Sequence, residues 1–400
     1  MADLLTTVLL ACAALGVSCV AVQIGSAVRH VRRPAPAPKT APFISILKPL
    51  CGVDDGLAEN LESFVRLSYP NYEVVLGVED SRDPAFAIAC RLAARFPERV
   101  RVAVQRGAPG LNPKVNQLIT LAARARHEVL LVSDSNVAVE PSYLHEIAAH
   151  LEDASVGVVT HPIAGRGEQT WGSLFDNVHL SVAIAPGMIA TNGLLGMPLV
   201  VGKSMAFRRA DLDAIGGFAA LKDVLAEDYV MGKLVAERLG KRVAVAHRPI
   251  TNVSRARTLR SFCDRYARWS VLQRMSVGNA MYAGVLLLNP LPFALLAFAI
   301  EPDRRALAAL LATALAKAAL EACAARALRP GGVSWVAAAS MPIKDALLFW
   351  AWLVGFAQNE VRWRGRRLAV LEGTRLVPIG SGAAGALGPR GAATAGSRAS

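Results

Sequence analysis

Charge is scarce in this 400-residue chain: Asp, Glu, Lys and Arg make up 19% of it and aromatic residues 6%, where an ordinary soluble domain is roughly 25% charged. With 53% hydrophobic residues and a mean hydropathy of +0.36, a plain soluble enzyme is excluded and membrane segments are sought first. Paired cysteine spacing is missing too. The six cysteines (Cys12, Cys19, Cys51, Cys90, Cys263 and Cys323) are scattered, none in a CxxC pair. That argues against a disulfide framework or a cysteine zinc site, and for thiols in a reducing compartment. Acidic residues are outnumbered 31 to 44, leaving a net charge of +13. Such an excess suits nucleic acid, or an anionic membrane surface together with a phosphate-bearing ligand. No finger, homeodomain or RNA-binding signature is present, so no nucleic-acid partner is expected.

What is present begins with residues 4–28, which carry no charge and are followed by Arg29, Arg32 and Arg33. At about 1.5 Å per residue this run can cross a hydrocarbon core about 30 Å thick. Asp3 in place of a basic start, and the length of the run, favour an anchor over a cleaved signal peptide. The arginines place the following segment in the cytosol. We expect an anchor over residues 1–33 and a semi-rigid Pro/Ala linker over 34–42. Over 43–254 short apolar runs alternate with amphipathic stretches. Strands are expected at 43–47, 73–78, 100–104 and 129–132, with helices at 57–67, 86–96 and 116–126. That alternation predicts an α/β domain with a mostly parallel sheet, whose ligands bind beyond the carboxyl ends of the strands.

Residues 255–280 read as a basic amphipathic helix at the membrane interface. Residues 281–358 hold three candidate membrane segments, at 281–300, 306–328 and 333–356. Asn289-Pro290-Leu291-Pro292 breaks the first. Lys317 and Glu321, four apart on one face of the second, make it interfacial or bundled. Arg362, Arg364, Arg366 and Arg367 ask for a cytosolic end, so one segment is expected to be re-entrant, the proline-broken one. Residues 359–400 read as a basic tail that becomes disordered in its Gly/Ala/Ser-rich part, 380–400. Abundant Ala, Arg and Gly suit a GC-rich bacterial genome. The expected location is therefore an inner membrane, multi-pass, with the catalytic domain cytosolic.

Three acidic sites are read as following strands: Glu79-Asp80, Asp134-Ser135-Asn136 and Glu227-Asp228. One strand-end aspartate is equally a turn former or helix cap. Together they suit sugar transfer from a nucleoside diphosphate. Its leaving group needs a hard divalent cation, Mg²⁺ or Mn²⁺, held by oxygen ligands. Asp134 and Asn136 can present two such oxygens. A separate carboxylate must take the acceptor hydroxyl proton, and Asp228 is the candidate, with Glu227 beside it. The segment Gly110-Leu111-Asn112-Pro113-Lys114-Val115-Asn116 precedes a helix whose amino end can face phosphates, which makes Lys114 a phosphate contact or a solvated lysine. Arg265-Tyr266-Ala267-Arg268-Trp269 puts two arginines on one helical face beside an indole, suited to a diphosphate or to lipid headgroups.

From Phe43 to Trp269 the chain resembles the ceramide glucosyltransferase family, inverting membrane glycosyltransferases. The resembling strings are Ser45-Ile46-Leu47-Lys48-Pro49-Leu50-Cys51-Gly52-Val53, Asn60-Leu61-Glu62-Ser63-Phe64 and Tyr69-Pro70-Asn71-Tyr72-Glu73. Asn112-Pro113-Lys114-Val115-Asn116, Asp134-Ser135, Ala226-Glu227-Asp228-Tyr229 and Arg265-x-x-Arg268-Trp269 complete the set. The resemblance implies a GT-A-type nucleotide-sugar-binding domain. It assigns Asp80, Lys114, Asn116, Asp134, Arg265, Arg268 and Trp269 to the nucleotide-sugar, and Asp228 to the base. Among Glu79, Asp80 and Asp83 the choice of Asp80 rests on the resemblance alone. It further implies a UDP-sugar donor, glucose first, a membrane lipid acceptor such as ceramide, and inversion at the anomeric carbon. Asn136 stands where a second carboxylate would complete an Asp-x-Asp motif, so the metal requirement is left open. Bacterial hopanoid glycosyltransferases, which use N-acetylglucosamine, look similar through the same motifs. A processive polysaccharide synthase and a non-catalytic binding protein are weaker alternatives: the crossings are few, and Asp228 and Arg268 are both present. Gly193, Gly196 and Gly202 suggest a flexible lid or an apolar trough, near which His161, Trp171, His179 and Asn192 could touch a sugar or lipid headgroup.

Overall fold

The computed structural model describes residues 2–329, 331–363 and 366–379. One long helix, α1 (Ala2–Val31), precedes a strand–helix alternation: β1 (Ile44–Pro49), α2 (Leu57–Val65), β2 (Tyr72–Val78), α3 (Pro84–Arg95), β3 (Val100–Val104), α4 (Pro113–Arg124) and β4 (Val129–Ser133). Helices α3 and α4 begin earlier than hydrophobic periodicity indicates, because each has a capping side chain followed by proline. Asp83 accepts from the Ala85 amide at 2.8 Å. Asn112 accepts from the Lys114 and Val115 amides at 2.9 and 3.1 Å. Proline suits the first helical turn, where its missing N–H has no helical partner to lose.

After β4 come β5 (Val137–Ala138), α5 (Tyr143–Leu151), β6 (Val156–Thr160), β7 (Ile163–Arg166), α6 (Trp171–His179), α7 (Ala185–Leu195), β8 (Ser204–Arg208), α8 (Arg209–Ala214), α9 (Glu227–Leu239), β9 (Arg242–Val245) and β10 (Ile250–Val253). Seven strands form the central sheet in the order β3-β2-β1-β4-β8-β6-β9. Only β8 runs antiparallel to its neighbours; the other pairs are parallel. Every residue of β1, β2, β4 and β6 is buried, which is why they read as continuous apolar runs. β1 pairs with β2 on one side and β4 on the other, while the chain reaches β4 only after visiting β3. The crevice beyond the carboxyl ends of β1 and β4 is therefore a topological switch point, where open α/β sheets bind ligands.

The apolar part follows: α10 (Leu259–Val277), α11 (Asn279–Gly284), α12 (Leu291–Ile300), α13 (Arg304–Leu328) and α14 (Trp335–Ala357). Among the described residues four helical stretches are long and apolar enough to cross a membrane: Ala2–Val31, Trp171–Leu195, Arg304–Leu328 and Trp335–Ala357. The pair Asn279–Leu288 and Leu291–Ile300 is bent by 81° at the Asn289-Pro290 break, where proline removes a helical hydrogen bond. Trp171–Leu195 is not marked as apolar by the sequence because Asp176, Asn177, His179 and Ser181 interrupt it. In the fold Asp176, Asn177 and Ser181 are fully buried. A π-helical turn, Leu180–Ile184, joins α6 to α7.

The helices form one bundle. Val20 and Ile24 of α1 meet Val178, Val182, Ala324, Ala325, Ala337 and Met341. Gly16 lets the backbone of α1 touch the Leu287 carbonyl, a position a Cβ would fill, as small residues do at packed membrane helices. Lys317 and Glu321 are bundled rather than interfacial. Lys317 Nζ lies 2.6 Å from Asp345, and Lys344 Nζ lies 3.0 Å from Glu321 and 3.1 Å from Asp345. Lys317 and Glu321 also pair along α13. Two ammonium and two carboxylate groups thus neutralise one another between α13 and α14.

One expectation is corrected. Residues 359–400 do not form a tail from the start: β11 (Glu360–Trp363), β12 (Arg366–Val370) and β13 (Leu376–Pro378) make a small antiparallel sheet. Val361, Leu368, Val370 and Leu376 pack on Leu225 and Val271, so apolar alternation outweighs the local arginine content. Arg364 and the expected disordered stretch 380–400 lie outside the described residues.

Candidate active site

The site is built around the switch point by short segments that lie far apart along the chain. From β1 comes Lys48, a wholly buried lysine whose ammonium donates to the Asp134 carbonyl at 2.8 Å. It also sits 3.5 Å from the centroid of the Phe64 ring. Asp134 follows β4 directly. Its Oδ1 is 2.9 Å from Lys114 Nζ and its Oδ2 is 3.4 Å from Lys203 Nζ. The two lysines hold this carboxyl far below the usual carboxylate range, overcoming the burial that alone would raise it. Lys203 also donates to Asn136 Oδ1 at 2.7 Å. Asp134, Asn136 and Lys203 therefore form one polar group.

Asp228 sits in the first turn of α9. Its Oδ2 accepts from the Gly202 amide at 2.7 Å, and its Oδ1 from the Tyr229 amide at 2.8 Å. Burial and the adjacent Glu227 charge push its pKa up to about 6, against the opposing Lys114 charge and the two amide bonds. Glu227 is differently placed: Lys114 Nζ lies 2.9 Å from its Oε1. Lys114 thus bridges Glu227 and Asp134 and donates to the Gly202 carbonyl at 3.1 Å. Although burial would discharge it, these anions raise its pKa. The neighbouring pattern, not solvent, holds this lysine. Of the two adjacent carboxylates, Glu227 is tied to a cation and Asp228 is the one whose proton affinity is raised toward neutrality.

Gly202 explains its own identity. A Cβ there would stand 3.0 Å from Asp228 Oδ2 and 3.1 Å from Lys114 Nζ. Its place is beside Asp228 and Lys114, whereas Gly193 lies within α7 and Gly196 ends that helix with φ 63°.

Helix α10 supplies the third wall, held by an aspartate that motif reasoning missed. Asp176 accepts from Tyr266 Oη at 3.0 Å and pairs with Arg257 at 3.2 Å and Arg265 at 3.3 Å. Arg265 in turn lies over the Trp269 ring, 4.6 Å from its centroid. Arg268 makes no hydrogen bond or ion pair among the described residues. Burial, then repulsion from Arg265 and Arg257, lowers its pKa to about 10. A half-buried guanidinium beside two others is a ready partner for an anion.

Some expected residues lie apart from this cluster. Asp80, beyond β2, is half-exposed and pairs with Arg82 at 2.8 Å. Asp83 is occupied as the α3 cap and accepts from the Gly52 amide at 3.0 Å. Asn116 spans the Gly110 peptide, accepting from its amide at 3.0 Å and donating to its carbonyl at 2.9 Å; it shapes the loop before Lys114. His161 donates to or accepts from Ser204 Oγ at 2.9 Å, His179 packs edge-on against Tyr266, and Asn192 donates to the Met188 and Leu199 carbonyls. Trp171 is exposed at the start of α6. Lys48, Lys203 and Asp176 were the residues sequence reasoning passed over. The signal available was a charge set in or next to an apolar strand or helix, which is costly to bury unless paired.

The profile described as Glycosyl transferase family 21 matches residues 6–376. The chain belongs to glycosyl transferase family 21. Its mostly parallel sheet and flanking apolar helices are the GT-A-type arrangement expected from the sequence. Ceramide glucosyltransferase 1 of Caenorhabditis elegans is 28% identical over 257 residues, covering 63% of this chain and 53% of the relative. The ceramide glucosyltransferase of Komagataella phaffii is 27% identical over 205 residues, covering 46% of this chain and 40% of the relative. The chain thus spans about half the length, or less, of the curated relatives it matches. Among solved structures, a mannosyltransferase from Pyrobaculum calidifontis, in complex with GDP-Man and Mn²⁺, aligns with a TM-score of 0.49 at 21% identity. It covers 86% of this chain and 99% of its own.

Proposed function

We propose that this family 21 chain transfers a hexosyl group from a UDP-sugar, glucose first, to the hydroxyl of ceramide or a similar membrane lipid, with inversion. The observation that carries the reading is the cluster of Asp228, Lys114, Asp134 and Lys203 at the switch point, in a chain with four described helical stretches long and apolar enough to cross a membrane. The acceptor oxygen attacks the anomeric carbon as the bond from that carbon to the diphosphate oxygen breaks. Asp228 takes the hydroxyl proton, for which a pKa near 6 suits a base at neutral pH. UDP leaves with the bonding electron pair. An α-linked donor gives a β-linked product.

Arg268, Arg265 and Lys203 receive the diphosphate charge, Trp269 lines the acceptor side, and Asp80 serves the nucleoside end. Asp134 and Asn136 offer the hard oxygen donors that Mg²⁺ or Mn²⁺ requires, one carboxylate and one amide. Both now face Lys203, so they fit a cation only together with a diphosphate that draws the ammonium groups away. Bound there, the cation would neutralise the leaving group. Residues 43–254 are the catalytic unit, with 255–280 as its membrane-side wall, and the unit lies on the cytosolic side of an inner membrane.

Membranes containing the protein, given labelled UDP-glucose and ceramide, should place label in the lipid phase, and Asp228→Asn should abolish it. Label transferred only from UDP-N-acetylglucosamine to a hopanoid would instead select that alternative. EDTA followed by Mg²⁺ or Mn²⁺ reports the cation requirement.

A further inference from the structure

Away from the active site, α5 and the loop after β9 bring together Glu146, His150 and His247. Their ligand-type atoms all lie within 4.8 Å of one another. Glu146 and His150 are four apart on one face of α5, and His247 follows β9 at the edge of the central sheet. Helix packing explains part of this. Glu146 accepts from the His247 amide at 2.5 Å, from His247 Nδ1 at 2.9 Å and from the Arg248 amide at 3.3 Å, which pins the loop.

That role leaves His150 unaccounted for. Its Nε2 is buried without a hydrogen-bond partner and stands 3.8 Å from Glu146 Oε1. This is too long for a hydrogen bond. It is close to the roughly 3.3 Å edge that bonds of about 2.0–2.1 Å give in a tetrahedral zinc site. The His150 and His247 rings are nearly parallel, with centroids 5.7 Å apart. All three side chains are mostly buried yet not sealed: His150 and His247 are 16% and 14% exposed, leaving a path for an ion.

We propose that Glu146, His150 and His247 bind one zinc-like divalent cation, with solvent completing the coordination. Two imidazoles and a carboxylate select Zn²⁺ or Co²⁺ over Mg²⁺, which prefers all-oxygen ligands. The site is therefore chemically distinct from Asp134 and Asn136. Its position gives it a structural consequence. His30, at the end of α1, stacks on the opposite side of His247 at 4.6 Å and bonds the Ala246 carbonyl at 3.1 Å. A cation holding His247 to α5 fixes the surface on which the membrane helix rests.

The test uses full-length protein in detergent, without a polyhistidine tag, stripped with EDTA and re-equilibrated with Zn²⁺ against a chromophoric chelator. Wild-type protein should retain one equivalent. His150→Ala and His247→Ala should each weaken binding by more than the roughly 10–100-fold that outer-shell changes cost. Asp134→Asn should leave it unchanged. Co²⁺ substitution should give a tetrahedral visible spectrum without thiolate charge transfer, a band that would instead mark binding at an exposed cysteine such as Cys51 or Cys323. Retention of the equivalent by both histidine variants, a thiolate spectrum, or no zinc held against the chelator would overturn the proposal. His150→Ala perturbs the fold least, since its ring nitrogen has no partner to lose. A gel-filtration profile matching wild type shows that weaker binding reflects the lost ligand.

Discussion

Asp228 gains its character from position rather than residue type. Two amides orient it, burial and Glu227 raise its proton affinity, and Lys114 opposes that rise. If it is the base, kcat/KM should fall as pH drops through about 6, by roughly tenfold per unit below that. Asp228→Asn should lower kcat by about 10²–10⁴-fold while leaving the folded state intact, as circular dichroism would show. The same shift has a stability sign. The folded pKa lies above the ordinary value, so the folded state binds the proton more tightly and this group's contribution increases as pH falls through 6 toward 4. Asp134 acts oppositely: held ionised by Lys114 and Lys203, it stabilises above the ordinary carboxylate range and loses that contribution as pH falls below it. Denaturation of wild type and Asp228→Asn between pH 4 and 7 separates the two; an unchanged difference across that range would refute the Asp228 assignment. At Gly202, alanine would press on both Asp228 and Lys114. Gly202→Ala should cost about 10²-fold in kcat, the scale of a 1 Å misplacement, with little change in the lipid KM.

At the scale of elements, the loop and first turn of α4 join the acidic groups. Asn112 caps that helix, donates to the Val224 carbonyl at 2.7 Å and reaches Glu227 at 3.4 Å. Asn112→Ala should reduce unfolding free energy by about 0.5–2 kcal/mol and lower activity as well, because Lys114 leaves its register. The small C-terminal sheet acts on the same strand of chain. The Thr374 carbonyl accepts from the Leu225 amide at 2.8 Å, and its hydroxyl accepts from the Ala226 amide at 3.3 Å, immediately before Glu227-Asp228. Removing residues 360–400 should therefore depress kcat although no reacting group is lost. Truncation after 379 serves as the control and should remain active.

For the whole molecule, the contacts among the apolar helices and α10 hold charges that are buried and paired. Lys317, Glu321, Lys344 and Asp345 cancel within the bundle, while Asp176 gathers Arg257 and Arg265 at the α6–α10 contact. Breaking one partner strands a charge in an apolar medium. Lys344→Met should cost about 3–5 kcal/mol, whereas replacing all four groups with apolar residues should cost much less. Thermal unfolding in detergent compares the two, and equal losses would show that shape rather than charge balance holds the bundle.

The first strands and helices, the apolar ends and the ordered set of motifs were all legible along the chain. Each is written in local periodicity or in a contiguous string. The C-terminal sheet and the Trp171–Leu195 stretch were not, because their apolar residues find partners only on distant segments. The site divides along the same line. Which residues can titrate, donate or ligate is a property of residue type, and the sequence determined it. Which carboxylate becomes basic and which lysine stays charged depends on fields that fall off over a few ångströms. Only the tertiary structure, by setting Lys203, Lys48 and Asp176 against residues far from them along the chain, decided that.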